Sequence, residues 1–72
     1  MEHITVDPRI CHGKPIFKGT RIMVWQVLEL LEAGESSEGI IRSYPSLSKE
    51  AIKEALRYAA KVLRAEYYVK FT

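Results

Sequence analysis

The sequence predicts a mainly α domain in which a short N-terminal β segment precedes a bundle of three helices. Three observations predict this class. Residues 4–23 are rich in β-branched residues interrupted by turn formers, residues 24–34 and 49–64 repeat apolar residues at helical spacing, and serines stand where two of the helices should begin. A helical bundle with a small β appendage is the fold class that accommodates this order of elements.

With 72 residues the chain has room for one domain and one hydrophobic core. We expect a single domain at 1–72, made of a β segment at 1–23, a three-helix unit at 24–66 and an aromatic tail at 67–72. A core this small is marginally stable, and the chain's one cysteine excludes an internal disulfide. We therefore expect self-association to add to the stability of the small core.

The β segment consists of extended pieces separated by turns. These pieces are Ile4-Thr5-Val6 before Asp7-Pro8, Ile10-Cys11 before His12-Gly13, and Ile16-Phe17 before Lys18-Gly19. Because short isolated strands are not stable in water, we expect them to pair with each other and with a second copy of the chain. The sequence thus predicts a homodimer formed through the N-terminal β segment.

The first helix follows from an apolar set at Val24, Val27, Leu28 and Leu31, which is one face of a helix, with Gly34 as its C-terminal stop. Trp25 flanks this face, so we expect a partner to cover part of the helix. A second, short helix should begin at Ser36 or Ser37 and close near Ser43, because Pro45 biases the residue before it away from helical geometry.

The third helix has the clearest start, with Ser48 as its cap and a hydrophobic staple between Leu47 and Ile52. Its apolar residues should form one buried face and its cations another. The predicted buried face holds Ile52, Ala55, Leu56, Ala59, Val62 and Leu63. The predicted cationic face holds Lys49, Lys53, Arg57, Lys61 and Arg64.

Two helices joined by the short connection Tyr44-Pro45-Ser46-Leu47 indicate a helix-turn-helix whose second helix enters the DNA major groove. The charge distribution agrees with this placement, since residues 1–36 carry a net charge of −1 and residues 37–72 carry +3. The candidate DNA-binding residues are Arg42, Ser46, Ser48, Lys49, Lys53, Arg57 and Arg64. Alternatively, Glu50 and Glu54 pair with Lys53 and Arg57, and the face is an ordinary solvated helix surface.

Enzymatic chemistry has little support in the residues. His3, His12 and Asp7 lack any group that orients them, and Cys11 is expected to be a buried structural residue. We therefore expect no catalytic residue, metal site or cofactor. The N-terminus lacks the pattern of a secretory signal, and no stretch has the length of a membrane span, so a cytoplasmic protein without membrane contact is expected.

Several motifs resemble the family called domain of unknown function 433. They are Gly13-Lys14-Pro15, Gly19-Thr20-Arg21, Tyr44-Pro45-Ser46-Leu47 and Ala55-Leu56-Arg57-Tyr58-Ala59. The resemblance covers nearly the whole chain. It implies a homeodomain-like three-helix unit behind a short β segment, often dimeric, in an antitoxin that accompanies a PIN-like ribonuclease toxin.

The aromatic tail acquires a role under that resemblance. Tyr67, Tyr68 and Phe71 either fold back on their own domain or, together with Trp25, bind the toxin or a second subunit. The expected function is a DNA-binding antitoxin that represses its own promoter. The alternative is a protein-interaction module that dimerises and inhibits a partner enzyme without touching DNA.

Overall fold

The structure, a computed structural model, describes the backbone of residues 1–71 and the side chains of residues 1–64. It confirms a mainly α domain with a short N-terminal hairpin and three helices. The elements in chain order are β1 (Ile4–Thr5), a 3-10 turn (Cys11–Gly13), β2 (Ile16–Phe17), α1 (Val24–Glu32), α2 (Ser37–Ser43) and α3 (Lys49–Phe71). The backbone of α3 runs past the boundary predicted at residue 66.

The β segment forms one antiparallel pair within the chain, with Ile4 opposite Phe17 and Thr5 opposite Ile16. The predicted extended piece at Ile10-Cys11 is correct only for Ile10, whose φ of −121° and ψ of 128° are extended, because Cys11 already begins a turn. The backbone N–H of Ile10 donates to the carbonyl of Asp7 at 2.9 Å, and Cys11 and His12 follow with left-handed φ angles of 51° and 58°. Cys11 is half-buried, not buried as expected, because its turn lies at the surface.

The helix boundaries follow the serines and glycine that predicted them. Gly34 closes α1 with a φ of +97°, a conformation that L side chains rarely adopt. Ser36 caps α2 by accepting a hydrogen bond from the Gly39 N–H at 3.0 Å. Ser48 caps α3 by accepting one from the Ala51 N–H at 3.1 Å. These bonds satisfy backbone N–H groups that a helix start leaves unpaired.

The core lies where the hairpin and all three helices meet. Its most deeply buried large side chains are Ile16, Phe17, Val27, Ile40 and Ile52. Each of these contributes about 1.5–3 kcal/mol by leaving water. Leu47 joins Ile52 in this core, as expected of a hydrophobic staple at the start of α3.

The predicted buried face of α3 is only partly correct. Ile52 and Ala55 are buried and Ala59 is half-buried. Leu56, Val62 and Leu63 are exposed instead, by 51%, 42% and 56% respectively. Val62 and Leu63 lie beyond the end of the core, and Leu56 is turned away from it because the helix packs through its alanine side. Within the described residues, no helix is both long and apolar enough to cross a membrane.

Candidate nucleic-acid interface

The connection between α2 and α3 is a tight turn. The Leu47 N–H donates to the Tyr44 carbonyl at 2.9 Å, so Pro45 and Ser46 occupy the centre of the turn. Proline suits this position because its ring fixes φ near the value that the second residue of a β-turn requires. Ser46 is exposed as a result, and α3 begins three residues later, at Lys49.

The first turn of α3 presents two candidate residues to solvent. Ser48 is exposed, and its hydroxyl oxygen holds the Ala51 N–H. The Lys49 Nζ lies 3.3 Å from Glu38 Oε2 on α2, and both side chains are more than half exposed. The pKa of Glu38 is lowered by a hydrogen bond from its own backbone N–H and then by Lys49. An ion pair this exposed is weak and can exchange for a phosphate.

The remaining candidate cations extend the exposed surface along α3. Lys53, Arg57 and Arg64 are exposed on α3, and Arg42 is exposed in the last turn of α2. Lys49, Lys53 and Arg57 follow each other at intervals of four residues and therefore form a strip about 12 Å long. We call these three residues the basic strip. Arg64 lies about 10 Å beyond it along the helix axis.

Glu54 does not neutralise the basic strip. Its side chain is 8% exposed and accepts two hydrogen bonds from His3, one from the backbone N–H to Oε2 at 2.6 Å and one between Nδ1 and Oε1 at 3.2 Å. Burial raises the pKa of Glu54, but the hydrogen bonds from His3 outweigh it and hold the pKa below its ordinary value. The alternative pairing of Glu54 with Arg57 is therefore wrong, because His3, the residue before β1, binds the carboxylate instead.

Glu50 remains as the acidic neighbour of the strip. It is exposed in the first turn of α3, where a carboxylate is favourable to the positive helix end. Among the side chains that the structure describes, neither Glu50 nor Lys53 nor Arg57 takes part in an ion pair. Two of the three strip cations are thus unpaired and point to water.

The candidate partner-binding residues divide into two groups. Trp25 is 43% exposed on α1, and its Nε1 donates to the Met23 sulfur at 3.2 Å. The side chains of Tyr67, Tyr68 and Phe71 lie outside the described residues.

Three ionisable residues of the β segment, His3, Asp7 and Arg9, are held in structural contacts. His3 binds Glu54, and Asp7 accepts hydrogen bonds from the Arg9 backbone and guanidinium at 2.9–3.1 Å. The Arg9 guanidinium, with the Arg9 N–H, lowers the pKa of Asp7. Over the part of the chain that is described, His, Cys, Asp and Glu side chains form no group of three or more that could hold a metal ion.

Comparison with known proteins shows that the chain is similar to members of one protein family. Residues 4–59 match the family described as "Protein of unknown function (DUF433)". An uncharacterized protein, y4eO, from Sinorhizobium fredii is 40% identical over 58 residues, which are 81% of this chain and 26% of that protein. A crystal structure of a DUF433 member protein from Anabaena variabilis superposes with a TM-score of 0.78 at 27% identity, over 82% of this chain and 58% of that one. The chain thus spans about a quarter of the one relative and over half of the other.

Proposed function

The chain belongs to the DUF433 family, as its Gly-Lys-Pro, Gly-Thr-Arg and Tyr-Pro-x-Leu motifs predicted. On that premise we propose that it is a cytoplasmic antitoxin that binds its own promoter through α3. In this proposal α2, the turn and α3 act as a helix-turn-helix. The second activity is the neutralisation of a PIN-like ribonuclease toxin through apolar surface on α1 and the end of α3.

The observation that best supports the proposal is that the Glu54 carboxylate is buried against His3 and does not face the cations of the basic strip. If Glu54 faced solvent beside Arg57, the two charges would cancel and the strip would attract polyanions weakly. Because His3 holds the Glu54 carboxylate in the protein interior, Lys53 and Arg57 keep their full charge toward solvent. Exposed helix cations that no described carboxylate pairs with, as Lys53 and Arg57 are, form the electrostatic footprint that DNA binding requires.

The geometry of the strip suits a major groove. An α-helix fits a groove about 12 Å wide, and the first turns of the second helix are the ones that meet base edges. Ser46, Ser48 and Lys49 lie in or next to that first turn, so they are placed to contact bases. Arg42, Arg57 and Arg64 lie farther from it and are placed to contact phosphates.

The experiment is a gel-shift titration of the promoter fragment upstream of the gene with the double variant K49E/K53E. We expect affinity to fall by at least about tenfold, because two cations that face the DNA become anions. The matched control is K18E/R21E, which reverses two exposed cations of the β segment and should bind like the wild type.

Two outcomes contradict the proposal. If K49E/K53E binds as the wild type does, α3 is not the recognition helix. If the wild type does not bind the fragment at low salt, the chain is an interaction module that acts on a partner enzyme without DNA. Circular dichroism of each variant checks that its helices are intact.

A further inference from the structure

A leucine lies exposed among the cations of the basic strip. Leu56 is 51% exposed, whereas Ile52, one turn earlier on the same helix, is only 2% exposed. Lys53 precedes Leu56 by three positions, and Arg57 follows it directly. Neither of these cations pairs with a described carboxylate. The leucine therefore lies in a part of the surface that favours a polyanion.

Leu56 belongs to a row of α3 side chains that points away from the core. The row consists of Lys49, Lys53, Leu56 and Ala60. Because these residues are four, three and four positions apart, they follow one another along one side of the helix. All four are exposed, and the buried Ala51 lies on the opposite side. When α3 enters a major groove with its exposed side, this row faces the base edges.

An open recess of about 350 Å³ adjoins this row of side chains. Its apolar lining comes from Leu31, Ile52 and Leu56. Its polar lining consists of Ser37, Lys49, Glu50 and Lys53. A small apolar group that enters the recess is covered by hydrocarbon, while phosphates on either side of it lie within reach of the two ammonium groups.

The chemistry of the leucine side chain limits what it can contact on DNA. Leucine has no hydrogen-bonding group, so it cannot pair with the donors and acceptors of the base edges and would deprive them of water. The C5 methyl group of thymine is the apolar group that the four bases offer in the major groove. We infer, on the premise that α3 is the recognition helix, that Leu56 contacts the C5 methyl group of a thymine in the promoter. Leu56 is then a specificity residue that favours an A·T pair at one position.

The position of Leu56 along α3 suits a base contact. Leu56 lies about 10 Å along the helix axis from Lys49, within the turns that a recognition helix inserts into the groove. Ala60, one turn farther, is too small to hold the helix away from the bases. Leu63 is also exposed, by 56%, but lies about 21 Å from Lys49 along the axis, beyond those turns. Leu63 is therefore a matched control for Leu56.

The test compares two forms of the promoter fragment in gel-shift titrations, one with thymine and one with uracil in its place. Uracil lacks the C5 methyl group and keeps the hydrogen-bonding groups of thymine. The wild type should bind the thymine form at least about fourfold more tightly, which is the effect of burying one methyl group. Leu56→Ala should bind both forms about equally, near the affinity of the wild type for the uracil form. Leu56→Met keeps an apolar side chain of similar volume and should retain the preference, as should Leu63→Ala.

Salt dependence separates the thymine contact from the proposed function. Leu56→Ala removes no charge, so its association constant for the thymine form should fall with salt along the slope of the wild type. If the wild type binds neither form, the proposed function fails and the thymine contact fails with it. If the wild type binds both forms equally and with salt dependence, α3 still faces DNA and only the thymine contact is overturned. A preference that persists in Leu56→Ala, or that is lost in Leu63→Ala, also overturns the contact.

Discussion

The first and second halves of α3 continue the same amphipathic pattern but have different surroundings. In the first half, Ala51, Ile52 and Ala55 are buried against the hairpin and the other helices. In the second half, Val62 and Leu63 occupy the apolar side and are exposed. An amphipathic pattern therefore indicates that a face needs cover, but it does not specify whether the same chain provides that cover.

The largest test of this contrast is a pair of truncations, one in each half. Ile52→Ala should lower the free energy of unfolding by about 2–5 kcal/mol, because it removes a buried side chain and leaves a cavity. Leu63→Ala should change it by less than about 0.5 kcal/mol when the chain is dilute enough to be monomeric. Urea denaturation of both variants measures the difference.

Equal losses of unfolding free energy in the two variants would contradict the difference between the two halves of α3. They would mean that Leu63 is buried in the isolated chain and that α3 is supported along its whole length. A loss for Leu63→Ala that grows with protein concentration has a different meaning, since it reports association through the exposed apolar side of α3.

A smaller effect is expected at Glu54, which hydrogen bonds join to His3, the residue before β1. Because the pKa of Glu54 is lowered in the folded chain, its contribution to stability is complete above the unfolded value near 4.5 and is lost as the pH falls through the folded value. Glu54→Gln should therefore be less stable than the wild type at pH 7. The difference should shrink as the pH falls below 4.5.

The matched control for that measurement is Glu50→Gln, four residues earlier on the exposed side of the same helix. Thermal unfolding followed from pH 7 to pH 3 should give this variant the acid dependence of the wild type. If Glu54→Gln and Glu50→Gln behave alike, the hydrogen bonds to His3 do not distinguish the two carboxylates in solution.

Much of the fold could be predicted because its signals are local. A serine caps a helix through its own hydroxyl, a glycine closes one through its own φ angle, and Pro45 acts on the residue before it. A turn at His12-Gly13 was predicted, but its start at Cys11 was not, because Cys11 and His12 adopt left-handed angles that their side chains disfavour. Contacts elsewhere in the fold must hold them there, and a sequence pattern does not show such contacts.

The residues of the candidate site were predicted to be exposed, but the partner that neutralises Glu54 was not predicted. All seven candidate DNA-binding residues are exposed, as their polarity indicated. The partner of Glu54 is 51 residues away, and no helical spacing relates it to His3. One signal was available, because Ala51 and Ala55 lie beside Glu54 on the helix surface, and small residues mark the side on which another element approaches closely. Leu56 was assigned to the core by its hydrophobicity, although this alanine side is the one that packs.

The salt dependence of promoter binding tests the central claim most directly, namely that the basic strip faces a polyanion. For the wild type, the logarithm of the association constant should fall linearly with the logarithm of the salt concentration, by about 0.9 for each phosphate contacted. Arg57→Gln removes one strip cation whose acidic neighbour is held by His3, so its slope should be shallower by about one contact. A slope that is the same in the wild type and in Arg57→Gln would contradict the account.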